Sequence, residues 1–169
     1  MLRVLQQVEG TSQLKSSWTA SQASERMMGA TQEQNKAVVR RFITETDRGN
    51  LEILLDVMTE DVQWHLGGAA LDRDALLAAS KTFYAGFPDL SHEFEDLFAV
   101  DDRVVLRAVD SGTHTGEFMG LAPTGRPVSF GIIAIFRFEE GRIAEAWEEA
   151  DLLGLLGQLG VKLPPDTTS

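Results

Sequence analysis

Three carboxylates, Glu148, Glu149 and Asp151, follow Trp147 at the point where GRIAEAWEEADLLGLLGQLG (residues 141–160) changes from a strand-like to a helix-like pattern. A carboxylate at a strand end beside a large aromatic is a candidate general base. Burial disfavours its charged form and lifts its pKa towards working pH, where it can take a proton from a carbon acidified by neighbouring carbonyls. The enolate formed needs a hydrogen-bond donor, and such donors supply a large share of the acceleration. The competing reading of Glu148 is a solvated residue at a strand end. Asp151 also has two readings, a second acid of the site or the N-cap of the following helix, where it accepts backbone N–H bonds and stays ionised. Strand side chains alternate, so Trp147 and Glu148 face opposite ways unless a bulge intervenes, and only one of them lines a cavity directly.

The sequence holds three histidines. His114, in the run 112–116 at the end of a long strand, either polarises a substrate carbonyl or hydrogen-bonds its own loop. His65 and His92 read as edge or surface histidines. The three lie on separate strands without ligand spacing, so no metal site is expected. Trp64, Tyr84, Phe87, Phe118 and Trp147 are the candidates for a substrate-binding wall, with ordinary core packing as the alternative; Phe83 and Met119 belong to the same group. Tyr84 is the only tyrosine and a candidate enolate donor, because a buried hydroxyl needs a partner. Arg107 alternates with Val105 and Val109, and parity does not say which face it takes.

A chain of 169 residues with 43% hydrophobic and 24% charged residues is sized for one domain with a sizeable core. Its net charge of −11 and scattered basic residues exclude a nucleic-acid partner. The absence of cysteine fits a reducing compartment, and a cytoplasmic location is expected. No apolar run approaches the roughly 20 residues of a membrane span, and no membrane partner is expected. The charge balance suits a small neutral or apolar ligand.

Residues 1–33 are rich in Ser, Thr and Gln without apolar periodicity and read as a flexible N-terminal arm, or as an over-long gene start with Met27 or Met28 as the true beginning. The domain is placed at 34–163 and a tail at 164–169. Within the domain the spacing predicts helices over 33–49, 51–58, 72–87 and 151–159, and strands over 62–66, 90–100, 103–113, 128–138 and 143–148. Asp72 is the expected N-cap of the third helix, and Phe87-Pro88 its end. The segment 121–126 is expected to cap the mouth of a cavity. Helices followed by consecutive antiparallel strands spell α+β.

In this order the residues resemble the SnoaL-like ester (polyketide) cyclases of the NTF2-like superfamily, over about residues 35–160. The most specific pieces are GTHTGEFMGLAPTGR (112–126), the hairpin FRFEEGRI, and Trp147 followed by Asp151-Leu-Leu-Gly and Gln158-Leu-Gly160. The resemblance implies a cone: a curved antiparallel sheet wrapped around three N-terminal helices, with a short C-terminal helix and a deep cavity open at one end. It implies a homo-oligomer, commonly a dimer packed through the sheet, and chemistry without metal or organic cofactor. The family's catalytic acid, a general base or acid in intramolecular aldol condensation, falls on Glu148. A second acid falls on Asp151, and Glu148 stands where those cyclases have Asp. The histidine that accompanies the acid on the preceding strand falls on Ala134. The expected function is therefore a cyclase-type protein acting on a hydrophobic carbonyl compound, with Glu148, Asp151 and His114 as the chemical groups. Its rivals are a ligand-binding protein without turnover, or an isomerase or epoxide hydrolase on the same fold.

Overall fold

The computed structural model describes residues 2–162, with side chains from residue 22 onward except at position 25. Its elements are α1 (Leu2–Asp47), α2 (Ile53–Val57), β1 (Met58–Leu66), β2 (Ala69–Leu71), α3 (Arg73–Gly86), β3 (Ser91–Val100), β4 (Arg103–Thr113), β5 (Pro127–Glu139), β6 (Arg142–Ala150) and α4 (Leu152–Leu159). One six-stranded sheet runs in the order β2-β1-β6-β5-β4-β3. All its neighbours are antiparallel except β1 and β6, which run parallel. The expected α+β class holds, and the sheet is mixed and mostly antiparallel. No helix among the described residues is long and apolar enough to cross a membrane.

The strongest alternation lies in β5, where Val128, Phe130, Ile132, Ala134, Phe136 and Phe138 are buried and the residues between them face outward. This period of two gives the sheet one apolar face. The helices cover it: Val39, Phe42, Ile43 and Thr46 of α1 recur at helical spacing and are buried, together with Ile53, Leu54 and Leu76. The β5–β6 hairpin turns through Glu140 and Gly141, both at positive φ (49° and 77°), the geometry that matches the twist of paired strands.

Four departures from the sequence pattern have local causes. First, α1 is continuous from Leu2, so the backbone of nearly the whole expected arm is helical. The stretch contains no proline to break it, but Met27 and Met28 are exposed and the first buried side chain among the described residues is Asn35. The expected tail, 164–169, lies outside the described residues. Second, β2 is an additional strand, hairpinned onto β1 through Gly67 and Gly68 at positive φ. Third, β1 begins at Met58, ahead of the expected 62–66, with a register irregularity between Met58 and Gln63. Fourth, β3 shifts register between Phe94, opposite Ala108, and Asp96, opposite Arg107. Glu95 is the extra residue of this bulge, so His92, Phe94, Leu97 and Ala99 share the inner face, and Glu95 and Asp96 both face out. Arg107 therefore takes the outer face and is held by Glu95 and Asp96.

The loop after β4 is tied to the end of α3, because the N–H groups of Thr115 and Gly116 both donate to the Gly86 carbonyl at 3.0 Å. A Cβ on Gly116 would stand 1.9 Å from the Ala85 carbonyl oxygen, so only glycine permits this approach. Gly116→Ala is expected to cost about 1–3 kcal/mol, read as a fall in thermal midpoint. An unchanged midpoint would show that the loop moves freely off α3.

Candidate active site

Between the helices and the inner face of the sheet lies a cavity of about 450 Å³. Its wall is mostly apolar, with Thr46, Ser80, Thr82, Tyr84, His92, Asp110 and Glu148 as its polar exceptions besides the Trp64 indole N–H. No Lys or Arg among the described residues lines it.

Glu148 reaches the cavity because β6 presents Ala146, Glu148 and Ala150 on the inner side. The parallel register sets Trp64 opposite Ala146 and Leu66 opposite Glu148, and Trp64 Nε1 donates to Glu148 Oε2 at 3.0 Å. Trp64 is fixed by edge-on contacts to Phe42 and Phe136 at 6.0 and 5.7 Å, which aim its N–H at the carboxylate. What remains exposed of Glu148 faces the cavity. Burial pushes its pKa up, and the nearby Glu149 adds to this; the Trp64 hydrogen bond and the charge of His92 only partly offset the shift. On β5, Ala134 is the register partner of Glu148.

The other expected residues separate. Tyr84 and Phe118 line the cavity with Trp64. The Tyr84 hydroxyl is pushed far above its ordinary pKa, mainly by burial and by the charges of Asp47, Asp110 and Glu148, with Thr46 beside it as partial offset. It remains a neutral donor at any working pH. Phe87 is fully buried one layer back, packed on Phe83, Phe118 and His114 at 5.1–5.3 Å, so it supports the wall and does not form it.

Trp147 points away from the cavity. It stacks on His65 across the outer face at 5.5 Å, as alternation against Glu148 requires. Asp151 is exposed and caps α4, accepting from the Gly154 N–H at 2.8 Å, and it does not line the cavity. His114 is fully buried behind Phe87, its Nδ1 accepting from the Thr124 N–H at 3.3 Å. The segment 121–126 folds back onto this histidine and onto α4, where Arg126 donates to the Gln158 carbonyl at 3.1 Å. The exposed residues of the cavity lining are instead Ala79, Thr82 and Met119.

Sequence reasoning missed one polar group and misplaced another. His92, expected at the surface, has a side chain only 9% exposed and faces the cavity. Its Nδ1 lies 2.5 Å from Asp47 Oδ1 and its Nε2 3.5 Å from Asp110 Oδ2. Asp110 is buried, and desolvation lifts its pKa to about 7 against the partial relief given by His92. A signal existed for Asp110: it continues the inner phase Val104, Leu106, Ala108 of β4, where a charged residue is out of place. For His92 the shared face with Phe94 was visible, but not the partners that make it more than an edge residue.

A helix-filled cone with an acid on its last strand defines a class. The model of the SnoaL-like polyketide cyclases matches residues 36–159, and the chain belongs to that family. Among solved structures it is similar to AclR of Streptomyces galilaeus, a proposed hydroxylase (30% identity, TM-score 0.74, covering 79% of this chain and 99% of that one). It is also similar to IdmH of Streptomyces antibioticus, a proposed polyketide cyclase (33% identity, TM-score 0.69, 76% and 99% covered). Aklanonic acid methyl ester cyclase AcmA of Streptomyces galilaeus is 40% identical over 63 residues, a match spanning 37% of this chain and 44% of that protein.

Proposed function

We propose that the protein is a cyclase-type acid–base catalyst that uses side chains alone on a neutral, largely hydrophobic carbonyl compound, with Glu148 as the general base. The observation that carries this reading is one desolvated carboxylate, held by an indole N–H, in the wall of an apolar cavity of about 450 Å³. That volume suits a small organic ligand. Trp64 occupies Oε2 and fixes the carboxylate, which leaves Oε1 to take a proton from a carbon flanked by carbonyls. Tyr84, neutral and on the facing helix, is a lining hydroxyl able to donate to the enolate oxygen. Neither Asp151 nor His114 has a part in the scheme, since neither faces the ligand space.

The lining also selects ligand charge. Asp110 and Glu148, with Asp47 behind His92, outnumber the His92 imidazolium, and no Lys or Arg among the described residues lines the cavity, so a ligand carboxylate would meet a net like charge in a medium that screens it poorly. An ester or ketone avoids this penalty, and the name of the cyclase AcmA, which specifies a methyl ester, points the same way. A neutral aromatic β-keto ester is expected to raise the thermal midpoint at pH 8, and the corresponding free acid to leave it unchanged. Equal or stronger stabilisation by the acid would sink the neutral-ligand reading.

Ala134 beside Glu148, in the place of the family's accompanying histidine, favours a second reading: a protein that binds such a compound without turning it over. Uptake of solvent deuterium at the α-carbon of the bound β-keto ester separates the two. Uptake no faster than in buffer leaves binding alone.

A further inference from the structure

The inner face holds a second polar group opposite in character to Glu148. In the β3–β4 register His92 stands across from Asp110, and Asp47, the last residue of α1, meets the ring from the other side. The backbone N–H of His92 also donates to Asp47 Oδ2, at 3.4 Å. A carboxylate at a helix C-terminus faces the negative end of the helix dipole, so α1 gains nothing from Asp47 there. Asp110 is 4% exposed, and its Oδ1 is enclosed without a hydrogen-bond partner among the described residues. The arrangement does not fit a metal ion: the two ring nitrogens point to different carboxylates and do not converge on one point, and no group of metal-holding side chains gathers among the described residues.

From this geometry we propose that His92, held between Asp47 and Asp110, is the general acid of the cavity, delivering a proton to the substrate oxygen on which charge develops while Glu148 removes the carbon-bound proton. The proposal rests on the reading of Glu148 as base. Ala134 has no proton to give at the position beside Glu148, and His92 supplies one from β3. In an intramolecular aldol closure, Glu148 takes the α-proton and the released electron pair forms the enolate. The enolate carbon then forms the C–C bond to a ketone carbon of the same molecule, the C=O π pair moves to oxygen, and that oxygen takes the Nε2 proton of His92. Substrate and product are isomers. The protein has gained one proton at Glu148 and lost one at His92, and transfer through water after product release resets it.

The groups facing His92 are Asp47 from α1, Asp110 from β4, Glu148 from β6 and, sharing the field of these three acids, Tyr84 from α3. Burial works against the imidazolium, but the hydrogen bond it donates to Asp47 and the charges of Asp110, Asp47 and Glu148 outweigh it, and the ring holds its proton above the ordinary histidine range. Asp47 and Asp110 act here as positioning residues.

The test uses the full chain and a neutral aromatic β-keto ester carrying a ketone on a side arm. Two rates are read, deuterium uptake at the α-carbon and ring closure. Glu148→Gln should lose both. His92→Gln should keep deuterium uptake near the wild-type rate and lose ring closure by roughly 100-fold or more. Asp47→Asn should keep part of the ring closure with its alkaline limb moved to lower pH, a shift that a purely structural role would not produce. Nitrogen-15 NMR of the histidine rings adds a readout independent of turnover. His92 should titrate above the free-histidine value of about 6.5, lower in Asp47→Asn, and its resonances should move when the ester binds. Intact ring closure in His92→Gln, or a His92 that titrates as free histidine and ignores the ester, overturns the proposal. If Glu148→Gln retains both rates, the base assignment fails, and the His92→Gln result still judges the acid on its own.

Discussion

Replacing Glu148 with Gln is expected to slow turnover of a neutral β-keto ester by about 100- to 10,000-fold, the usual contribution of a positioned general base. Ligand affinity should barely change. The amide has the shape of the carboxylate and still offers an oxygen to Trp64 Nε1, so the hydrogen bond and the wall survive. Stability should hold or rise, because the substitution removes a charge that burial disfavours. A merely structural Glu148 predicts the opposite pair of results, intact turnover and altered stability. In the wild type the base must be ionised to act, and its folded pKa lies above that of free glutamate. Activity should therefore fall on the acid side, at a pH higher than an exposed glutamate would give. Steady-state kinetics across pH on both proteins reads all of this, and an unchanged rate in the variant removes Glu148 from the mechanism.

The second large effect is expected in stability. The Asp110 carboxyl titrates at about 7 in the folded protein, against 3.8 as its reference value, with desolvation as the main cause. Between these values the folded state keeps a proton that the unfolded chain has lost, so stability is greatest below the unfolded pKa and declines as pH rises to about 7, then levels. At about 1.36 kcal/mol per unit, the span corresponds to an upper bound of roughly 4 kcal/mol. His92 pulls in the same direction: its folded pKa is raised, so the stability it contributes is present below the free-histidine value and is lost as pH rises through the folded one. Asp110→Asn removes the carboxyl share. Its denaturant midpoint should match the wild type near pH 4 and exceed it at pH 8. Parallel pH profiles for the two proteins would show that Asp110 is not the desolvated acid described above.

Much of this was legible from the residues. Asp72 is a helix N-cap as its type and position indicated, accepting from the Ala75 N–H at 2.9 Å. The period of two in β5 marked the inner face, and the hairpin at Glu140-Gly141 was readable from its glycine between apolar runs. Local rules sufficed because neighbours in the chain decide these features. The same alternation separated Trp147 from Glu148, and the structure sends the tryptophan outward. The sequence left Asp151 with two roles, and the backbone bond from Gly154 places it at the cap.

The illegible part is the part that depends on pairing between distant strands. Nothing in the residues of β1 announces β6 as a parallel partner, yet that register alone brings Trp64 Nε1 to Glu148, 84 positions away. The bulge at Glu95 has no local signature, and it decides which residues of β3 share a face with His92.

By itself, then, the chain determined most of its elements, its family and the presence of a carboxylate on its last strand, since each follows from short-range periodicity or from a matched motif. Only the tertiary structure decided that His92 lies between Asp110 of the paired strand β4 and Asp47, at a helix end 45 positions away in the chain. A charge acquires its pKa and its partner from what surrounds it in space, and that surrounding exists only once the sheet has closed over the helices.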